Sequence, residues 1–518
     1  MKTDFRIHPH VAIPGLFALT ALLYKRELAL PPHFDDHFYL FLMDETPLRH
    51  VLCVLDPRQY VIWIRPINWL LTYVERALFG DWLAGFRLVT VLMHAINGYL
   101  LYWICRRPLG LTATTSSLCG LLFVLYPGSY ESVLWLSDQV DPQLLLCQTG
   151  SFVTYTRWRD RSGIRWLFLS FLLFLFGLMT KETVVVLPGI LLLFECFRRR
   201  IDPSDEGTNP WVVAAGLLPF FILTAGYLVL RHEILGGIGG YPQWAGGIPR
   251  HLMDIRRLLA YFTVVLPSQY LFPFPYHDVS FLYRLPGALM FWITLGGLIV
   301  SRDYRIHGIF CTLCCILLVI PVSPLIWKSH DFFMNPRYLY PGSGAVCLMV
   351  ACMLRAGWRE PDRRRTWKFC MRIAGWTIVC AWLPLGWHLR STFRAATELS
   401  NNMIDQLSEY CTDLNTDTQI VLSGLPCRIG STSLDIMDPV LSITNFEIHR
   451  RCALLPPFDP CARRSERTLR EYLLSARGVV SPSCGDSMTR TATPALKSRR
   501  IFLRLQPDGD LRESAPPE

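Results

Sequence analysis

Long apolar blocks separated by short basic connectors constrain this chain more than any other feature. "WLFLSFLLFLFGLM" and "FCTLCCILLVIPVSPLIW" are two of them. In a bilayer every backbone polar group must be satisfied internally, which leaves only helices and closed barrels. Blocks of this length fit helices, because barrel strands need only about ten alternating residues. With 51% hydrophobic and 18% charged residues, the 518-residue chain could not cover a soluble surface of its size. The expected fold class is an all-α polytopic membrane protein. About eleven spans are predicted, near 7–24, 84–104, 112–127, 139–156, 164–180, 183–197, 210–230, 284–300, 307–326, 338–354 and 369–388.

The net charge of +10 does not point to nucleic acid, because the Lys and Arg fall in short clusters between the apolar blocks. Such clusters mark cytosolic loops. "RR" at 106, "RWRDRSGIR" at 157, "RRR" at 198, "RDYR" at 302 and "RAGWREPDRRR" at 355 all sit on one side if the N-terminus is cytosolic. The first apolar run has no small-residue cleavage site and is followed by "YKRE", so it reads as a retained span. Residues 164–197 are flanked by basic clusters on both ends and would reach about 50 Å as one helix. A hairpin turning at "TKET" is therefore predicted. This topology gives a membrane domain over 1–388, with outer loops at 25–83 and 231–283. The last 130 or so residues lie outside the cytosol, and a bacterial inner membrane is the expected location.

With that orientation the polar anomalies fall on one side. "FDDHF", "WIRPINW", "YPGSYES", "SDQVD", "TKET" and "DFFMNPRYLYP" all lie at extracytosolic span ends or in outer loops. One carboxylate among several cations suits transfer of a sugar from a lipid phosphate. A glycosidase needs two carboxyl groups to manage its leaving alkoxide. Phosphate leaves once its charge is stabilised, so one base for the acceptor hydroxyl and a few cations suffice. Asp35 or Asp36 supplies the base, and Arg65, Lys181 and Arg337 are candidate phosphate holders. The paired acids also leave room for a divalent metal, Mg or Mn.

At these residues the chain resembles membrane glycosyltransferases of the GT-C superfamily. It is most like the transmembrane and tetratricopeptide-repeat O-mannosyltransferases and their bacterial relatives. "RPINWLLTYVERALFGDWLAGFRLVTVLMHAINGYLLYWI" is similar to their Arg-Pro, Phe-Gly and His-x-x-Asn pattern. "LLFVLYPGSYESVLWLSDQVD", "LMTKETVVVLP" and "RYLYP" resemble further signatures, and "FDDHF" resembles the first-loop acidic motif, in the same order over residues 10–388. The resemblance implies a polyprenyl-phosphate-linked sugar donor, an inverting transfer, and a hydroxyl acceptor on a lipid, glycan or protein. It adds His94, Glu131, Asp141, Glu182 and Tyr338 to Arg65, Lys181 and Arg337 as substrate- or phosphate-binding residues, with Asp35 aligned to the first acid of the loop motif. Tyr126 stands where the pattern usually has His, and Gln139 where it often has Arg.

A transporter or flippase of lipid-linked or glycan substrates is the competing class. It should show repeated halves and helices broken at mid-membrane. Neither is visible in the sequence, and an inactive membrane scaffold is a third reading. The tail shows no 34-residue helical repeat. "ELSNNMIDQLSEYCTDL" reads as an amphipathic helix, and "TQIVLSGLP" and "RIFLRLQ" as strands. A small extracytosolic α/β domain over 389–505 and a disordered end over 506–518 are expected. Of the 17 cysteines, about twelve sit in or beside apolar segments as small hydrophobes. Cys411, Cys427, Cys452, Cys461 and Cys484 are in the exported tail, where a disulfide can persist.

Overall fold

A computed structural model describes residues 8–33, 36–45, 55–56, 64–161, 163–201, 209–237, 255–273, 281–301, 303–322, 336–355, 365–408 and the strand residues between 418 and 513. The described part is sixteen α-helices followed by four short strands. The helices are α1 (Pro9–Leu23), α2 (Asp36–Glu45), α3 (Pro66–Phe79), α4 (Leu83–Arg106), α5 (Ala113–Val124), α6 (Tyr130–Leu134), α7 (Val140–Arg161) and α8 (Ile164–Leu178). They continue with α9 (Leu187–Ile201), α10 (Pro210–Leu235), α11 (Ile255–Ala260), α12 (Leu266–Leu271), α13 (Leu285–Val300), α14 (Arg305–Val319), α15 (Tyr340–Arg355) and α16 (Arg365–Ser408). Every one of the eleven apolar stretches contains a helix. Among the described residues, six helices are long and apolar enough to cross a membrane, or seven if α5 and the bent segment Pro127–Leu134 count as one span. The chain is a multi-pass integral membrane protein.

The expected break at "TKET" is present: α8 stops at Leu178, and α9 starts only at Leu187 after a 3₁₀ turn over Glu182–Val186. The chain divides into two units. The first comprises residues 1–28, 62–71 and 85–388. Its centre is α15, which is buried along nearly its whole length. By contrast α10 leaves Leu218, Phe221, Ile222 and Val229 exposed, as a lipid-facing helix requires. Membrane helices associate by close backbone approach at small residues. Gly98 of α4 and Gly120 of α5 provide such a contact: a Cβ at Gly120 would lie 2.7 Å from the Gly98 carbonyl oxygen. Gly120→Ala would have to push the two helices apart.

The second unit comprises residues 29–61, 72–84 and 389–518. The predicted span 369–388 and the amphipathic stretch after it are one helix, α16, with Pro384 inside. No helix-breaking pair separates them, so the last turns of the span simply continue. Beyond it lies a four-stranded sheet of β1 (Thr418–Ser423), β2 (Val479–Val480), β3 (Arg499–Leu505) and β4 (Leu511–Glu513), in the order β2-β1-β3-β4. β1 runs parallel to both neighbours, with Ile420 opposite Val479 and Ile501, and β4 is antiparallel to β3. The expectation of disorder across 506–518 is thereby corrected at Leu511–Glu513, which pair with Leu503–Leu505. The five tail cysteines lie outside the described residues.

Candidate functional site

Six helix ends of the first unit bring a cluster of charges together. Arg65 precedes α3, Glu131 lies in α6, Asp141 is in the first turn of α7, and Lys181 and Glu182 occupy the break between α8 and α9. Arg231 lies near the C-terminal end of α10, one turn before its last residues, and Arg337 lies in a 3₁₀ turn just before α15. Pro66 and Pro336 mark two of these entries, where a ring without an N–H suits a first helical turn. The side chains are largely withdrawn from solvent: Lys181, Asp141 and Arg231 are all buried.

Most of these charges are already paired. The Lys181 Nζ donates to Asp141 Oδ1 at 2.5 Å. The Arg65 Nη2 reaches both Glu182 oxygens, at 3.2 and 3.4 Å, and Arg231 approaches the same carboxylate at 4.0 Å. Burial pushes the Glu182 carboxyl up, but Arg65, Arg231 and Lys181 outweigh it and hold it down at about 2. Glu131 accepts from the Tyr130 hydroxyl at 3.0 Å and from the Arg337 backbone N–H at 3.4 Å. Asp138 accepts from Ser132 at 3.1 Å. Burial raises its carboxyl, against the opposing charges of Arg337 and Lys181.

Arg337 differs from the other cations. Its guanidinium lies 4.4 Å from the Trp135 ring centroid and 5.2 Å from that of Tyr338, whose ring is also 5.5 Å from Lys181. Among the described residues Arg337 forms no side-chain ion pair, and its Nε has no hydrogen-bond partner. A stacked guanidinium with unused donors is arranged for a planar or tetrahedral oxyanion.

The structure thus brings together Arg65, Glu131, Asp141, Lys181, Glu182, Arg337 and Tyr338. It adds Asp138, Arg231, Tyr130 and Trp135, which the sequence did not single out. Arg231 was hidden because it looked like the start of a loop, whereas α10 runs on to Leu235. His94 lies apart from the ion pairs: its Nδ1 meets the Tyr340 hydroxyl at 2.7 Å, and nearby Asn97 donates to the Pro142 carbonyl at 2.9 Å. The two departures are buried packing residues here. Tyr126 donates its hydroxyl to Tyr270 O at 3.0 Å, and Gln139 Oε1 accepts from Thr90 at 3.5 Å.

Asp36 belongs to the second unit and is fully buried. Its Oδ2 accepts from the His33 backbone N–H at 2.9 Å while its own N–H donates to His33 O at 2.9 Å. The Asp36 carboxylate thus accepts a backbone N–H of the residue three positions before it at the start of α2. Asp35 lies outside the described residues. Among the described residues no three His, Cys, Asp or Glu side chains group to hold a metal ion.

A family comparison adds to this geometry. Residues 66–226 match the family model of the dolichyl-phosphate-mannose-protein mannosyltransferases. The matched segment holds Glu131, Asp138, Asp141, Lys181 and Glu182, so the resemblance to GT-C membrane glycosyltransferases is borne out across the centre of the cluster. No curated protein sequence matches the chain. Among solved structures, the chain is similar to the oligosaccharyltransferase of Archaeoglobus fulgidus in its apo form (12% identity, TM-score 0.43, 79% of this chain and 62% of that one). It is also similar to the arabinofuranosyltransferase AftD from Mycobacteria (13%, 0.45, 83% and 31%). ArnT from Cupriavidus metallidurans in the apo state is a third (13%, 0.43, 96% and 93%). The chain therefore spans less than two thirds of the archaeal enzyme's length. At such identities and scores, the reading of the site rests on its own side chains.

Proposed function

We propose that this protein is a membrane glycosyltransferase that moves a sugar from a polyprenyl-phosphate donor to a hydroxyl acceptor. The site faces the extracytosolic side, the remaining predicted spans complete an eleven-helix domain, and the chain also carries an exported α/β domain. The observation that carries the reading is the contrast between Arg337 and its neighbours. Arg65 and Lys181 are committed to Glu182 and Asp141, whereas Arg337 is stacked, anchored by its backbone to Glu131, and free of any carboxylate partner within the described residues. Arg337 is thus the preferred holder of the donor phosphate, and Lys181 and Arg65 shape the field around it. Tyr338, between Lys181 and Arg337, forms the wall against which the phosphate rests.

In the reaction, a carboxylate takes the acceptor hydroxyl proton as the oxygen attacks the anomeric carbon. The bond from that carbon to the phosphate oxygen breaks, and the configuration inverts. Charge then grows on the departing polyprenyl phosphate, where a fixed guanidinium is worth most. Asp35 is the proposed base. Asp36 accepts the His33 backbone N–H at the start of α2, and the carboxylates of the cluster are engaged with cations or hydroxyls. Donor titrations that follow release of polyprenyl phosphate test the assignment. A charge-assisted hydrogen bond contributes about 1.5–3 kcal/mol, so Arg337→Ala should raise the donor KM and lower kcat/KM by roughly 10- to 100-fold. An unchanged kcat/KM in folded Arg337→Ala removes the phosphate role.

A further inference from the structure

Arg87, one turn into α4, is completely buried. A snorkelling arginine would carry its guanidinium out to water, so a charge held inside a membrane bundle points to a task. Two of its contacts show what it holds. Its Nε donates to the Leu134 carbonyl at 3.0 Å, and its Nη1 to the Leu28 carbonyl at 3.0 Å. Leu134 is the last residue of α6 and is itself buried. A helix of five residues is too short to hold its shape alone, and its last carbonyls have no partner within the helix. Arg87 gives one of them a charged donor.

The segment that Arg87 fixes also sets Arg337. Towards one end of α6, Glu131 Oε2 accepts from the Arg337 backbone N–H at 3.4 Å. At the other end Trp135 leaves the helix in an extended conformation, with its N–H still on the Glu131 carbonyl at 2.9 Å. Its ring centroid lies 4.4 Å from the Arg337 guanidinium. The backbone and the side chain of Arg337 are thus both placed from one short helix and its cap. We infer that Arg87 is a positioning residue for Arg337 and acts on it through Leu134 and Trp135. This role rests on the proposed phosphate contact of Arg337, and it falls to a residue outside the charge cluster. The guanidinium matters as well as the charge. Its rigid fork reaches carbonyls of two different segments at once, whereas an ammonium is a point donor on a flexible stem.

The test uses full-length protein in lipid nanodiscs, with two readouts. One is hydrogen exchange of the backbone amides of residues 130–135, and the other is binding of polyprenyl phosphate. Arg87→Gln keeps a donor but removes the charge and the fork. Exchange over 130–135 should rise about five- to tenfold with α10 unchanged. The dissociation constant for polyprenyl phosphate should rise by a similar factor when Arg337 is present. In an Arg337→Ala background it should change by less than about twofold, because a residue that acts through Arg337 has nothing left to place. Arg87→Lys, which keeps the charge, should fall between wild type and Arg87→Gln, and it gives the same comparison if Arg87→Gln does not fold. Equal weakening in the two backgrounds, unchanged exchange over 130–135, or an equal rise throughout the protein overturns the inference. Wild type that does not bind polyprenyl phosphate removes the phosphate role of Arg337, and this inference with it. A bound probe with equal weakening in the two backgrounds removes this inference alone.

Discussion

Lys181 and Asp141 form the most deeply buried ion pair at the site, with side-chain exposures of 5% and 1% and an Nζ–Oδ1 distance of 2.5 Å. At an effective dielectric constant of about 20, charges that close attract by roughly 7 kcal/mol. Desolvation costs several kcal/mol for each ion, so the pair as a whole contributes little net stability. Removing one member is different. Lys181→Met strands a buried carboxylate, one oxygen of which already lacks a hydrogen-bond partner. Asp141→Leu strands a buried ammonium. Each single change should destabilise the protein by about 3–5 kcal/mol, and the double variant Lys181→Met/Asp141→Leu by far less than the sum. Unfolding of the purified protein in mixed micelles, followed by tryptophan fluorescence against denaturant, gives the four corners of the cycle. The double variant should recover most of the lost stability but not activity. Additive losses in the double variant would refute the pairing.

Two further outcomes follow, one from the start of α2 and one from the charge cluster. Asp36→Asn weakens the hydrogen bond from the His33 N–H at the start of α2, so it should loosen that helix and cost about 1 kcal/mol in unfolding experiments, with only a secondary fall in turnover. Glu182 has a carboxyl held at about 2, below its ordinary value of 4.5. The stabilisation from its ionised form is full above about pH 4.5 and is lost as pH falls toward 2. Stability measured from pH 6 down to pH 3 should therefore drop more steeply in wild type than in Glu182→Gln, and equal slopes would count against the Arg65–Glu182–Arg231 triad.

The sequence made the helices legible because each membrane crossing needs its own apolar block, and blocks can be read in a short window. The break between α8 and α9 was legible for a related reason: basic residues on both flanks demand an even number of crossings. The partners within the site were not legible. Arg65 meets Glu182 across 117 positions and Lys181 meets Asp141 across 40, and no periodicity encodes such distant pairs. Family-like motifs named several side chains that the fold brings together, without saying which cation would be left uncommitted. Asp36 shows the opposite limit. Two adjacent acids look equivalent in a sequence, but a backbone N–H three residues earlier claims one of them. The continuation of α16 was missed because polarity changes at residue 388 while helix propensity does not.

In the proposed mechanism a single carboxylate, Asp35, activates a hydroxyl acceptor against a lipid-phosphate sugar. Single-turnover transfer by wild type and Asp35→Asn, with labelled polyprenyl-phosphate sugar in nanodiscs, tests it most directly. Asn keeps the size of the side chain but cannot accept the proton, so the rate should fall by about 10²–10⁴, the usual contribution of a general base. Donor binding measured in parallel should stay within about twofold of wild type, as the proposed phosphate role of Arg337 requires. Full transfer by folded Asp35→Asn, or no transfer by wild type to any hydroxyl acceptor, would rule out this mechanism.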